Sequence, residues 1–291
     1  MNALNDSKRN RLRQLIDDAT ARLTTAGVAS PVVDAKILAA ELLDVRPLQL
    51  GLLDDFPDDF PARYETWVTR REAREPLQHI IGSAPFGPLD LSVGPGVFIP
   101  RPETEVLAEW AVGQIKLIDE PLVVDLGTGT GALALYIAHA RPDARVFAVE
   151  KSATARAFAE TNMKSTGSSI SIVAGDMTDP QLLAEFDGVV DLVVSNPPYV
   201  PETKDLDAEV YIDPHDAVFA GNDGMTVIEG LVPVASRLLR PGGVIGIEHD
   251  DATSQAVQDV VTAHGGFTTP QVVKDLAGRD RFVVAGKLAQ E

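Results

Sequence analysis

The chain has no cysteine among its 291 residues. A disulfide framework, a thiol nucleophile and a cysteine-ligated metal are therefore excluded, and we predict no metal site. No apolar run reaches the roughly 18 residues of a membrane-spanning helix, and residues 1–13 lack the apolar segment of a signal peptide. We therefore expect a cytoplasmic protein with no membrane association.

Basic residues are also few. The 43 acidic and 25 basic residues give a net charge of −18. Binding along a phosphate backbone needs a basic surface, so we expect no direct nucleic-acid substrate. One cationic cluster remains. As a structural feature it would be a solvated helix face, and as a functional feature it would contact an acidic partner or RNA. Its members are Arg63, Arg70, Arg71 and Arg74.

The first part of the chain, residues 1–80, is predicted to be a helical domain, because apolar residues recur there at helical spacing. Ser30-Pro31 is typical of a helix start. Residues 81–100 are rich in Gly and Pro, and their alternating apolar runs Leu89–Val93 and Val97–Ile99 predict the two strands of a β-hairpin linker. Residues 101–291 then form the second domain.

Short apolar runs alternate with helical patterns in this second domain, which predicts an α/β fold whose mostly parallel sheet carries helices on both faces. Only Asp275–Arg281 separates the last two strands, too few residues for a helix, so we expect the last strand to be antiparallel. The seven predicted strands are Leu122–Leu126, Arg145–Val149, Ile170–Ala174, Val189–Val194, Val244–Glu248, Gln271–Lys274 and Phe282–Ala285.

A glycine-rich loop follows the first of these strands, in the segment Asp125-Leu126-Gly127-Thr128-Gly129-Thr130-Gly131. Such a loop brings backbone close to a ligand and directs a helix N-terminus at it. The spacing is tighter than the Gly-x-Gly-x-x-Gly of dinucleotide sites, and the Gly-Lys-Ser/Thr of a P-loop is absent. Asp125 can hold the loop amides or meet a ligand ammonium group.

Acidic residues follow the next two strands. Glu150 is placed to accept both hydroxyls of a ribose, and Asp176 to accept from an adenine amine, with Met177 along the ring. Each residue has a structural alternative: a surface salt bridge for Glu150, a helix N-cap for Asp176 and core packing for Met177. Three acids at successive strand ends suit a cationic nucleoside and would repel a pyrophosphate. The ligand they favour is S-adenosylmethionine.

The fourth strand ends in Asn196-Pro197-Pro198-Tyr199. The prolines stop the strand and lack N–H groups, which leaves backbone carbonyls directed into a cleft. Asn196 adds a side-chain donor and acceptor, and Tyr199 adds a flat ring. The four residues suit a clamp for a planar group that bears an NH2, such as an amide or a nucleobase amine.

The order of these motifs resembles class I methyltransferases that modify an NH2 nitrogen, and three further segments resemble one family, the release factor glutamine methyltransferases. These segments are Arg74–Gly82, Phe98–Glu105 and Lys274–Arg281. The resemblance implies a Rossmann-like seven-stranded methyltransferase sheet with an N-terminal helical-bundle domain. It also implies methyl transfer from S-adenosylmethionine, leaving S-adenosylhomocysteine, to the glutamine side chain in the Gly-Gly-Gln loop of peptide chain release factors.

The resemblance and the residues together predict the site. Asn196, Pro197, Pro198 and Tyr199 would hold the glutamine, with Asn196, Pro197 and Tyr199 catalytic. Glu150 stands where aspartate is more frequent in the family, and Met177 where tryptophan is frequent. The predicted cofactor-binding residues are Asp125, Gly127, Thr128, Gly129, Thr130, Gly131, Glu150, Asp176, Met177 and Asn196.

Three other functions stay open. A ribosomal-protein glutamine methyltransferase would share the chemistry, and a nucleic-acid adenine or guanine N-methyltransferase could use the same tetrapeptide on a flipped base. A protein that only senses S-adenosylmethionine is disfavoured by the intact tetrapeptide. A dehydrogenase is disfavoured by the loop spacing. We expect a monomer, because no sustained apolar stripe remains once two domains are counted.

Overall fold

The computed structural model of the protein describes residues 2–202 and 209–289, with side chains from residue 8 onward. These residues form two compact units. The helical unit comprises residues 2–82 and the separate segment 209–212, and the sheet unit comprises residues 83–202 and 213–289. None of the described helices is long and apolar enough to cross a bilayer.

The helical unit packs its helices around the aromatic side chains of Phe60 and Tyr64, which are almost fully buried. Gly27, at φ +73°, follows the first helix, and Pro31 begins the second as predicted, although Ser30 makes no side-chain cap. The helices are α1 (Asn2–Thr25), α2 (Pro31–Leu42), α3 (Phe60–Glu72), α4 (Leu77–Ile81) and the 3₁₀ helices Pro47–Leu52 and Val210–Ile212.

The arginine cluster of α3 and the residues after it is paired with acids of the same unit. Arg71 is buried, and its Nε lies 2.8 Å from the buried Asp34 carboxylate. Its Nη2 lies 2.8 Å from Glu209, which also pairs with Arg74 at 2.9 Å. Arg70 pairs with Glu75 at the surface. These contacts give the cluster a structural role, but the predicted solvated helix face is wrong for Arg71, which is buried.

The sheet unit contains the helices and strands that form the α/β fold. They are β1 (Ser83–Phe86), β2 (Leu89–Ser92), α5 (Thr104–Gln114), β3 (Leu122–Leu126), α6 (Ala132–Ala140), β4 (Arg145–Glu150), α7 (Ala153–Thr166), β5 (Ser171–Ala174), β6 (Val190–Ser195), α8 (His215–Val218), α9 (Thr226–Leu238), β7 (Leu239–Glu248), α10 (Ser254–His264), β8 (Gln271–Lys274) and β9 (Asp280–Gly286), with 3₁₀ helices at Ala184–Phe186 and Asp251–Thr253.

The predicted seven-stranded sheet is confirmed. Its order is β5-β4-β3-β6-β7-β9-β8, and all pairings are parallel except those of β9, which runs antiparallel to both neighbours. After β5 the chain returns to the centre and places β6 beside β3. Ligands of open α/β sheets bind outside the carboxyl ends of the strands where the order reverses, which here is the gap between β3 and β6.

The β-hairpin occurs, but one of its predicted strands is wrong. β2 matches the run Leu89–Val93, whereas its partner is β1, and Val97–Ile99 forms no strand. Gly94, Pro95 and Gly96 break the extended backbone before that run, and Val97 and Ile99 are buried in an apolar cluster instead. β1 tolerates Pro85 because a two-stranded sheet leaves one side of each strand without hydrogen-bond partners.

Helix α5 approaches β7 closely at Gly246. A Cβ atom at Gly246 would lie 2.5 Å from the Trp110 ring and 2.9 Å from Leu107 Cδ1. Only glycine therefore allows this packing. Side chains alternate along a strand, so Glu248, two residues later, projects to the same face as Gly246, toward the first turn of α5.

Arg71→Met should lower the unfolding free energy of the helical unit by about 3–5 kcal/mol, because the buried Asp34 carboxylate loses its cation. Arg70→Met is the matched control, since its more exposed pair with Glu75 should be worth under about 1 kcal/mol. Urea unfolding in a Trp110→Phe background isolates the fluorescence of Trp67 on α3, the only other tryptophan. Equal effects of the two substitutions would contradict the prediction.

Candidate active site

The predicted site residues lie on neighbouring loops at the carboxyl edge, by which we mean the edge of the sheet where β3 to β7 end. Across this edge come Asp176 after β5, Glu150 ending β4, the glycine loop after β3, Asn196 after β6 and Glu248 ending β7. Because β9 is antiparallel, its first residues also lie here. Residues far apart in sequence therefore meet across a few strands.

The glycine loop adopts the backbone conformation that its glycines permit. Gly127, Gly129 and Gly131 have φ of +82°, +57° and +89°. The Gly129 amide donates to Glu150 Oε2 at 2.9 Å, which joins the loop to the next strand. A Cβ at Gly129 would meet no atom of the described residues within 4 Å, so these residues leave open space beside the loop there.

Asp125 is buried beneath this loop. Its Oδ2 accepts hydrogen bonds from the Thr128 hydroxyl at 2.6 Å and the Ala134 amide at 3.2 Å. Its Oδ1 is buried and has no hydrogen-bond partner in the described part of the chain. Burial raises the pKa of Asp125 to about 7. A carboxylate oxygen left in this condition suits a cationic donor from a ligand.

The acids on the other side of the loop already serve structural roles. Glu150 Oε1 accepts from the Ser152 amide at 2.7 Å. Asp176 Oδ1 accepts from the amide and hydroxyl of Thr178, and these bonds, with the amide first, lower the pKa of Asp176. Asp176 thus closes a turn, but no helix begins there, so the predicted N-cap alternative is wrong. Its Oδ2 faces Lys151 at 3.1 Å.

Met177 packs against the glycine loop. A Cβ at Gly127 would lie 2.5 Å from Met177 Cε, so a larger residue there would displace the end of the Met177 side chain. Met177 also packs against the apolar core beneath the sheet. The contacts of Asp176 and Met177 with an adenine ring remain predictions.

The tetrapeptide Asn196-Pro197-Pro198-Tyr199, hereafter the clamp, is fixed at both ends. Before it, the Ser195 hydroxyl donates to the Leu126 carbonyl at 2.6 Å, which ties the ends of β6 and β3 together. At its end, the carbonyl of Tyr199 contacts Gly224, where a Cβ would lie 2.2 Å from that oxygen. The clamp therefore lies next to the glycine loop.

Thr104 and Glu248 contact the clamp and were not predicted from the sequence. Asn196 Nδ2 donates to Thr104 Oγ1 at 3.2 Å, and Thr104 Oγ1 donates to Glu248 Oε2 at 2.7 Å. The Tyr199 hydroxyl donates to Glu248 Oε1 at 3.2 Å. Glu248 could have been found by the signal that identified Glu150, an acid that ends an apolar strand.

Glu248 lines a cleft of about 200 Å³ at the carboxyl edge. Burial raises the pKa of Glu248 to about 7. Arg281 reaches the same cleft because Glu248 pairs with Phe282 in the β7–β9 ladder. The cleft is lined by Arg101, Glu103, Tyr199, Glu248 and Arg281.

Two of the three segments behind the resemblance contribute residues to this cleft. Phe98–Glu105 supplies Arg101, which pairs with the buried Asp213 at 2.6 Å and stacks on Phe98. Lys274–Arg281 forms the turn between β8 and β9. Asp275 closes that turn by accepting from the amides of Ala277 and Arg279, each at 2.9 Å.

Comparisons with known proteins agree with this architecture. Residues 14–82 match the PrmC N-terminal domain and residues 104–211 match the Methyltransferase small domain. A methyltransferase structure from Pyrococcus furiosus has a TM-score of 0.51 at 16% identity, covering 78% of this chain and all of that one. The Thermus thermophilus 16S rRNA N2 G1207 methyltransferase has a TM-score of 0.51 at 22% identity, covering 70% and 49%. These structures support the fold.

Similarity in sequence is much closer to curated proteins named release factor glutamine methyltransferase. The Corynebacterium glutamicum protein is 56% identical over 95% of this chain and 99% of its own length. The Mycolicibacterium smegmatis protein is 52% identical over 96% and 99%. The Streptomyces coelicolor protein is 46% identical over 96% and 99%. The chain is therefore a methyltransferase and belongs to the release factor glutamine methyltransferase family.

Proposed function

We propose that this protein transfers a methyl group from S-adenosylmethionine to the side-chain amide nitrogen of the glutamine in the Gly-Gly-Gln loop of peptide chain release factors. S-adenosylhomocysteine is the second product. The observation that carries the proposal is the position of the clamp beside the glycine loop, at the point where the strand order reverses. The names of the close relatives support the substrate.

The residues at the carboxyl edge fit the cofactor. S-adenosylmethionine, when bound, supplies an electrophilic methyl on a sulfonium and carries an ammonium, a ribose and an adenine. Asp125 Oδ1, buried and without a hydrogen-bond partner among the described residues, would accept from the ammonium. Each oxygen of Glu150 accepts one backbone amide and keeps a lone pair for a ribose hydroxyl. Met177 would line the adenine site.

The clamp must counter the weak nucleophilicity of an amide nitrogen, whose lone pair is delocalised into the carbonyl. Asn196 Oδ1 and the Pro197 carbonyl accept the two N–H groups of the glutamine amide, and the Tyr199 ring restricts its rotation. Held in this way, the lone pair faces the methyl, and near-attack positioning can contribute ~7–11 kcal/mol. Acceptors directed at the charge that develops on nitrogen add electrostatic stabilisation.

A strong general base is not required, because the methylated nitrogen becomes acidic and loses its proton readily. The helical unit would contact the release factor away from the glutamine, and we propose that the enzyme acts as a monomer in the cytoplasm. The charge of −18 favours a protein substrate over nucleic acid.

Binding of S-adenosylmethionine should tighten about tenfold from pH 5.5 to pH 7, because the ionised form of Asp125 attracts the ligand ammonium. The ligand amine stays largely protonated in this window. Isothermal titration calorimetry measures the dissociation constant. Asp125→Asn keeps the hydrogen-bond acceptor but should abolish the pH dependence. If the dissociation constant of Asp125→Asn varied with pH as in the wild type, the pH dependence would belong to another group.

Asn196→Ala should lower kcat by about 100-fold, since misplacing the reacting nitrogen by about 1 Å has an effect of this size. The dissociation constant of S-adenosylmethionine should change far less. Asn222→Ala, an exposed asparagine, is the control. Turnover is measured with labelled cofactor and a release factor. A kcat near that of the wild type would refute the clamp hypothesis.

One assay separates the candidate functions. The enzyme is incubated with radiolabelled S-adenosylmethionine and either a release factor, the factor with Ala for Gln in its Gly-Gly-Gln loop, ribosomal proteins, RNA or DNA. Label confined to the release factor that keeps its Gly-Gly-Gln glutamine supports the proposal. Equal label on both factors, or label on another substrate alone, overturns it.

A further inference from the structure

The hydrogen bonds around the clamp form one connected chain that ends on a buried carboxylate. Glu248 accepts from two hydroxyls at once, Thr104 on one oxygen and Tyr199 on the other. Thr104 in turn accepts from Asn196 Nδ2. Asn196 and Tyr199, the two clamp residues with polar side chains, are thus connected through Glu248.

The chemistry of these groups fixes the direction of each bond. An ionised carboxylate only accepts, so both hydroxyls must point their protons at Glu248. The Thr104 oxygen then offers only lone pairs to Asn196, which must present its NH2 group. The other end of the Asn196 amide, Oδ1, therefore faces away from Thr104, where an incoming N–H group would need an acceptor.

We propose that Thr104 and Glu248 are positioning residues that hold Asn196 with its amide oxygen toward the substrate and Tyr199 in its ring orientation. This inference rests on the proposed function, because it assigns the NH2 of a substrate amide as the group that the clamp receives. Without these hydrogen bonds the Asn196 amide can flip, and its NH2 group would then face the NH2 group of the substrate amide, which is repulsive.

The fold holds both residues rigidly. Thr104 and Glu248 are buried, with 4% and 1% of their surface exposed. Thr104 begins α5, whose close approach to Gly246 places the first turn of the helix over the end of β7. Both side chains are already buried and hydrogen-bonded here, so the chain of hydrogen bonds is set before any substrate arrives.

The charge of Glu248 matters because a protonated carboxyl could donate to Thr104 and permit the opposite bond direction. The groups that face Glu248 are Arg281, which favours the ionised form, Glu103, which disfavours it, and the hydroxyls of Thr104 and Tyr199. With a pKa of about 7, Glu248 is ionised at higher pH. At saturating cofactor, kcat should therefore fall as the pH drops below about 7.

The test compares Thr104→Val, Thr104→Ser and Glu248→Gln in the full-length protein. Thr104→Val keeps the shape and removes the hydroxyl, and should lower kcat at least about tenfold. Thr104→Ser keeps the hydroxyl and should retain most of the wild-type kcat. Glu248→Gln, which offers one acceptor oxygen instead of two, should lower kcat similarly and remove the acid limb of the kcat–pH profile. Glu109→Gln, exposed on the same helix, is the control and should match the wild type.

Cofactor dissociation constants and melting temperatures are measured for every variant. Wild-type affinity with reduced kcat, rescue by serine and loss of the acid limb support the inference. Wild-type kcat in Thr104→Val or in Glu248→Gln overturns it. If Thr104→Val does not fold, the comparison of Thr104→Ser with Glu248→Gln tests the inference. A kcat of the Thr104→Ser enzyme as low as that of Glu248→Gln also overturns it. A wild-type enzyme that binds cofactor but leaves release factor unlabelled would instead refute the proposed function.

Discussion

Strand β6 pairs in parallel beside β3, and the Ser195 hydroxyl joins the end of one strand to the Leu126 carbonyl of the other. This pairing places the clamp beside the glycine loop. It also makes the gap between β3 and β6 the point where the strand order reverses, so loops on one side suit a cofactor and loops on the other suit a substrate. The proposed transfer of a methyl from the cofactor to the glutamine depends on this pairing of β3 with β6.

Two buried carboxylates lie on opposite sides of that gap, and burial raises the pKa of each to about 7. Their surroundings differ. In the part of the chain that the structure describes, one Asp125 oxygen has no hydrogen-bond partner, whereas both oxygens of Glu248 accept hydrogen bonds from hydroxyl groups. The first arrangement suits attraction of a cation and the second suits orientation of neighbouring groups. Similar desolvation thus serves two purposes, because the hydrogen bonds differ.

Much of the sheet unit could be predicted from sequence, because strands, helices and glycine turns depend on residues close together in the chain. The run Val97–Ile99 misled the prediction, since three Gly and Pro residues precede it and burial in a cluster, not strand pairing, accounts for its apolar residues. The arginine cluster could not be interpreted either. Its partners, Asp34 and Glu209, lie far along the chain.

The sequence by itself determined the seven strands, the glycine loop, the clamp and the acids that end the strands, because periodicity, Gly and Pro act locally. It could not show which side chains meet. Asn196 and Thr104 are 92 residues apart, and Thr104 and Glu248 are 144 apart. Only the strand order and the packing of α5 at Gly246 bring them together, because hydrogen bonds over such separations require the backbone to be in place first.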